Sequence, residues 1–350
     1  MGRRNPSRSG KHCIVSSDED QSGSEVKLHS GTSTPDRLRD LDAKVAKAIG
    51  KSKSKATRDA YEADFEDFTH WCKKENLIPM PAASIDVARY LSDLAFPDDD
   101  RKPLTVSTIQ RRIASIGAAH KQRSYPNPCD NEGVREAMKG IRRHLGTKQR
   151  RKSGLSTAEI RAIVETIDGS ELIGIRDRAL LLLGFATALR RSELVALEVG
   201  DLERHPEGLV VWKRRSKTDQ EGAGAAIEVA YGEHLITCPV RATRAWLDEA
   251  AIEDGPVFRS VDRHGNISEE ALSSKSVAGI VKKHAQRLGH DPDDFAGHSL
   301  RRGFSTEAAR NGAPERVIAT TTHHTTVRGL KPYIEEADRF TDPPSRYLGL

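Results

Sequence analysis

Cysteine is scarce in this chain: four residues in 350, Cys13, Cys72, Cys129 and Cys238, stand far apart. They have neither the density of a secreted disulfide scaffold nor the paired spacing of a structural zinc site, so a reducing cytoplasm is the expected setting. Long apolar runs are missing too. No stretch approaches the roughly 20 residues needed to cross a bilayer, and the N-terminus lacks the apolar segment of a secretion signal, so no membrane partner is expected. No internal repeat is visible.

Acidic residues are locally absent in one place. Overall the charge is nearly balanced, 56 Lys and Arg against 51 Asp and Glu, for a net +5. Between Lys139 and Ser153, however, seven basic residues (Lys139, Arg142, Arg143, Lys148, Arg150, Arg151, Lys152) occur without one acid. Such a field suits a phosphate backbone, and the competing reading is a solvated linker.

At 350 residues the length accommodates two domains. Residues 1–42 are rich in Ser, Gly and charge, with too little apolar surface to offset ordering entropy, and are expected to form a disordered arm. From there the pattern is helical. Tyr61, Phe65, Phe68 and Cys72 recur at helical spacing, and a second helix is expected from Ser84 as its cap through Val87, Tyr90, Leu91 and Leu94. A third runs near Thr105 to Lys121, with Arg111 and Arg112 supplying positive charge and no acid on the same helix, so it is a candidate DNA-facing element. A fourth is expected over Val134 to Leu145. These make a helical bundle over 43–147, followed by a basic linker over 148–154.

A second domain opens at Ser156, which with Glu159 forms a capping box flanked by Leu155 and Ile160 as a hydrophobic staple. An apolar helix is expected over Ala179 to Leu189, two strands at Leu209 to Lys213 and Ala226 to Ala230, and helices over Cys238 to Ala251, Ser274 to Leu288 and Leu300 to Arg310. The expected class is mainly α with a small antiparallel sheet.

Three segments carry chemistry. Arg190, Arg191, Ser192 and Glu193 sit where an apolar helix ends, and a guanidinium at the edge of a core needs an anion, either Glu193 or an incoming phosphate. His298 and Arg301 are three residues apart on a helix whose apolar stripe is elsewhere, so both can meet one ligand, although a surface helix can carry such a pair by chance. His324 and Tyr333 are separated by nine residues with Gly329 and Pro332 between, which places the tyrosine in a new short helix. Tyrosines alone are mostly core or interface residues.

In combination, Leu189-Arg190-Arg191-Ser192-Glu193-Leu194, then Ser216-Lys217-Thr218-Asp219, then His298-x-x-Arg301, His324 and Tyr333 resemble the tyrosine recombinase family, also called phage integrases. The resemblance implies a helical core-binding bundle joined to a mixed α/β catalytic domain (155–350, with a C-terminal tail), in which Arg190 and Arg301 are the catalytic arginines. It further implies that Lys217 is the hairpin lysine, His298 and His324 are the two histidines, Tyr333 is the nucleophile and Glu193 is the supporting acid. Three departures stand out: Arg302 where the family often has histidine, His323 where it usually has glycine, and Thr320 to Thr322 where it is usually more apolar; they leave His323 as the alternative to His324 for the second histidine.

That assignment implies transesterification of a DNA phosphodiester. Two planar guanidiniums grip the non-bridging oxygens, Tyr333 attacks phosphorus with His298 accepting its proton, Lys217 protonates the departing 5′ oxygen, and a 3′-phosphotyrosyl bond stores the energy for rejoining. Double-stranded DNA is the expected partner, a homotetramer on two sites the expected assembly, and no cofactor is called for. Rival readings are an idle DNA-binding protein on the same fold, a type IB topoisomerase, and a zinc site from His290, His298, His323 and His324, which lacks a completing cysteine or acid.

Overall fold

The computed structural model of the chain describes residues 36–51, 54–98, 100–146, 152–213, 224–323, 329–337 and 343–348. The first helix, α1 (Asp36–Lys51), begins inside the expected arm, because Leu38, Leu41 and Val45 already fall at helical spacing. Residues 1–35 lie outside the described residues.

Four helices follow, α2 (Lys55–Lys74), α3 (Ser84–Ala95), α4 (Val106–Gln122) and α5 (Glu132–Leu145). The first and third of them start at the side-chain caps Ser54 and Thr105. Ser84, expected as a cap, is instead the first residue of α3, whose cap position holds Ala83 with no side-chain bond. Helices α2, α3 and α4 pack together around Phe68, Cys72, Tyr90, Leu91, Ile109 and Ile116, all fully buried. On α5 the buried stripe is Val134, Met138 and Ile141.

The chain divides into two compact units at Met138 and Lys139, a point inside α5. The division precedes the basic linker expected at 148–154, since the helix runs unbroken to Leu145.

The second unit is built around α7 (Leu172–Thr187), which follows α6 (Thr157–Thr166) and its Ser156–Glu159 capping box. Being apolar on nearly every side, α7 is buried between α9 (Pro239–Glu249) and α11 (Ser299–Arg310). It starts earlier than the apolar run suggests. The charged residues near its start are absorbed inside: Arg176 and His284 both bind the Asp177 carboxylate, at 2.6 and 2.9 Å. After α7 come the short α8 (Arg191–Leu194) and an antiparallel sheet of β1 (Leu202–His205), β2 (Gly208–Lys213) and β3 (Ala225–Ala230). A separate hairpin, β4 (Arg259–Val261) and β5 (Ile267–Ala271), precedes α10 (Ser274–Arg287). Strand β1 and this hairpin have mostly exposed side chains and no clean alternation, so the sequence pattern does not announce them. The unit ends with α11, α12 (Glu315–Thr322), α13 (Lys331–Ala337) and a turn at Pro344–Tyr347.

Residues 153–157 enter this unit by lying along α11. The Leu155 amide donates to the Ser299 carbonyl at 3.2 Å, and a Cβ on Gly303 would stand 2.0 Å from the Leu155 carbonyl oxygen. Only glycine permits that approach.

Candidate active site

Five chain segments end at one place. Helix α7 stops because Ala188 takes a left-handed conformation (φ 50°), and its freed carbonyl accepts from Nη1 of Arg301 at 2.8 Å. Helix α12 stops the same way at His323 (φ 49°), and the Thr322 carbonyl accepts from Nη2 of the same guanidinium. Two helix C-termini, each carrying partial negative charge, thus grip the Arg301 fork in a 5% exposed position. The left-handed turn also accounts for the glycine that the family usually has at the position of His323.

Arg190 occupies the N-cap position of α8, and it donates twice to the Glu193 carboxylate one turn on, through its amide at 2.9 Å and through Nη1 at 2.7 Å. Lys213, at the end of β2, places its Nζ 3.5 Å from the same Glu193 Oε1. His298 is the cap residue of α11, and Gly297 before it leaves room for the Arg191 stem, whose Cδ would be 2.9 Å from a Cβ there. Tyr333 lies on α13, which packs against α11, the helix that carries Arg301.

The electrostatics follow from crowding cations in a buried place. Burial, reinforced by Arg190, brings the Arg301 guanidinium down to about 10, opposed by Glu193 and Tyr333. Burial also pushes His298 below its ordinary value, with Arg301, Arg191 and Arg190 acting in the same direction, and His323 is lowered by burial, Lys213 and the two arginines. Both imidazoles are therefore held neutral. Glu193 would be raised by burial, but the Arg190 hydrogen bonds and the Lys213 charge outweigh this and keep it ionised.

The expected residues divide into three groups. Arg190, Glu193, His298 and Arg301 come together, and Tyr333 stands on the helix packed against α11. Lys217 and His324 lie outside the described residues, as do Lys148, Arg150 and Arg151. Of the remaining DNA-facing candidates, Lys139, Arg142 and Arg143 stand exposed on α5, and exposed Lys152 donates to the Asp293 carbonyl. Arg111 and Arg112 differ from expectation. Arg111 pairs with Asp64 at 3.1 Å, and the largely buried Arg112 binds Asp67 and the Tyr90 hydroxyl, so the acids missing from α4 are supplied by α2. Arg112 is thereby committed to the inside of its unit.

One site residue escapes the sequence reading: Lys213 ends an expected strand, and alternation with Leu209 and Val211 puts it on the buried face. The Nε2 of His323, the alternative to His324, is buried with no hydrogen-bond partner among the described residues. Also among the described residues, no group of three or more His, Cys, Asp or Glu side chains could hold a metal ion, and no helix is long and apolar enough to cross a membrane.

The phage integrase family matches residues 154–339, a span that contains every residue of this site. The chain belongs to that family, the tyrosine recombinases. It is 40% identical over 305 residues to the integrase/recombinase xerD homolog of Selenomonas ruminantium, covering 86% of this chain and 88% of that relative. It is 26% identical to the recombinase cre of Escherichia phage P1, over 79% of this chain and 83% of the relative. Among solved structures, the fold resembles the XerH site-specific recombinase bound to its palindromic difH substrate after cleavage (TM-score 0.60, 15% identity, 81% of this chain and 80% of that one). It also resembles a lambda integrase dimer bound to a core site (TM-score 0.55, 15% identity, 87% and 96%). As in these integrases, the fold is mainly helical with small antiparallel sheets.

Proposed function

We infer that the protein is a site-specific DNA recombinase that cuts and rejoins strands through a 3′-phosphotyrosyl bond to Tyr333. The observation that carries this reading is the gathering, in one subunit, of Arg190, the doubly held Arg301 fork and two neutral imidazoles, with the Tyr333 helix packed against the helix that carries Arg301.

A scissile phosphate entering this place meets the Arg190 and Arg301 forks, which bind its non-bridging oxygens and oppose the charge that builds up as phosphorus becomes five-coordinate. The Tyr333 oxygen attacks phosphorus, its proton passes to neutral His298, and the 5′ oxygen leaves. Lys217 supplies that oxygen's proton, an assignment supported by the family resemblance. His323 or His324 donates a hydrogen bond to the phosphate, and the unpartnered Nε2 of His323 favours His323. The phosphotyrosyl linkage keeps the energy of the original diester, so a 5′ hydroxyl from a second duplex reverses the sequence without a nucleotide cofactor. Exchange between two duplexes calls for a tetramer on two sites, with Lys139, Arg142, Arg143 and Lys152 among the contacts to the DNA backbone.

The test is a nicked suicide substrate carrying the DNA that flanks the gene, followed by denaturing gels. Wild type is expected to give a covalent adduct, Tyr333→Phe none, and Arg301→Ala one formed about a hundredfold more slowly, since such a donor contributes on the order of 3 kcal/mol to the barrier. Tight binding without an adduct would instead identify an idle DNA-binding protein, and plasmid relaxation without strand exchange a topoisomerase.

A further inference from the structure

Lys213 is 95% hidden from solvent, since its side chain is only 5% exposed, and a buried ammonium calls for an explanation. Strand alternation turns it inward beside Leu209 and Val211, where an apolar side chain would fill the same space without the desolvation. Its partner is equally specific. Glu193 Oε1 takes the Lys213 ammonium at 3.5 Å and the Arg190 guanidinium at 2.7 Å, while the other carboxylate oxygen is occupied by the Arg190 amide at 2.9 Å. One oxygen therefore has two cations, and they differ in access: Arg190 is 24% exposed and Lys213 5%.

That difference matters once a phosphate arrives. The guanidinium able to reach it is the one Glu193 holds, and drawing Arg190 away would leave a buried carboxylate beside an incoming anion. A second buried cation on the same oxygen removes that penalty. We propose that Lys213 is a positioning residue for strand cleavage: it neutralises Glu193 so that Arg190 can pass from that carboxylate to the scissile phosphate. The inference rests on the recombinase reading, in which Arg190 is a phosphate ligand. It is separate from the role of Lys217, the proton donor to the leaving oxygen. The charge of Lys213 also reaches His323 and helps keep that imidazole neutral.

The test measures single-turnover cleavage of the suicide substrate by wild type, Lys213→Met, Lys213→Arg, Glu193→Gln and the Glu193→Gln/Lys213→Met double variant, with DNA affinity measured in parallel. The expected result is a ten- to hundredfold slower cleavage in Lys213→Met, DNA affinity within a few fold of wild type, and partial recovery in Lys213→Arg. With the carboxylate gone, the need for its counter-ion goes too, so the double variant should cleave no more slowly than Glu193→Gln. Should Lys213→Met alone fail to fold, the double variant, which leaves no buried charge unpaired between these two positions, carries the comparison with Glu193→Gln. Additive losses, or a wild-type rate in Lys213→Met, overturn the proposal. So does full rescue of Lys213→Met by a substrate with sulfur at the 5′ bridging position, since that leaving group needs no proton and rescue would mark Lys213 as the acid. A wild-type adduct accompanied by any of these results removes this inference alone, whereas no wild-type adduct removes the recombinase reading as well.

Discussion

Arg302, the residue after the buried Arg301, donates through Nη2 to Glu336 Oε2 at 2.5 Å and so ties α11 to the helix that carries Tyr333. Glu336 lies three residues beyond Tyr333, and the side chains of Arg302 and Glu336 are both less than a third exposed, so the pair fixes the Tyr333 helix against the Arg301 helix. Glu336→Gln keeps the shape and removes the charge. A partly buried pair of this kind contributes about 1 kcal/mol, so adduct formation is expected to slow about fivefold. Arg302→Glu with Glu336→Arg should restore most of it. A swap that recovers nothing would show that the pair does not position Tyr333.

Arg302 also shows where sequence reading reaches its limit. Its difference from the family pattern was visible in the motif, but its partner was not, because Glu336 lies 34 residues away on a helix whose packing no local periodicity reports. Arg190, Glu193, His298, Arg301 and Tyr333 stood out in the sequence because the chemistry proposed for the protein uses those residue types at those spacings. The bundle was legible from helical periodicity, and α7 from its continuous apolar run. Arg112 was misread for the converse reason: an acid-free helix looked poised for DNA while Asp64 and Asp67 on a neighbouring helix neutralised it. Lys213 needed strand parity and the three-dimensional position of Glu193 together.

Cleavage should depend on pH through His298. Burial and the neighbouring arginines hold its imidazole below the ordinary value of 6.5, so the ring is neutral and able to accept the tyrosine proton throughout the neutral range. Raising the pH from 7 to 8 should therefore change the single-turnover rate little through this group, while lowering it past an inflection below 6.5 should slow cleavage about tenfold per unit. In His298→Gln the rate should be lower and this inflection absent. An unchanged inflection in that variant would assign the base to another group.

Gly303 should not tolerate a side chain. Its missing Cβ is what lets the Leu155 carbonyl, 2.0 Å from where that carbon would sit, lie against α11, while a Cβ on Gly154 would stand 2.8 Å from the Gly303 amide nitrogen. Backbone is on both sides of the contact, so no rotamer change relieves the clash. Gly303→Ala is expected to cost about 2 to 3 kcal/mol in unfolding experiments and to slow cleavage by shifting Arg301, two residues earlier. Gly279→Ala, with nothing within 4 Å of its added carbon, is the control expected to leave stability unchanged or slightly raised.

Asp177 sets the acid limit of stability. Burial would raise its carboxyl, but the His284 hydrogen bond, the Arg176 guanidinium and Lys283 together bring it down to about 2, from an ordinary 3.8. A carboxyl whose folded value lies below its unfolded value adds stability that is fully present above the unfolded value and is lost as the pH falls toward the folded one. The window is therefore from about pH 4 down to about pH 2, and the contribution above it is about 2 kcal/mol. Urea unfolding at pH 7, 4 and 3 should show wild type losing stability across this window. Asp177→Asn should start lower at pH 7 by roughly 3 kcal/mol, because Arg176 and His284 lose their buried anion, and should show a shallower acid slope. An Asp177→Asn protein with the wild-type slope would place the acid-sensitive group elsewhere in the protein.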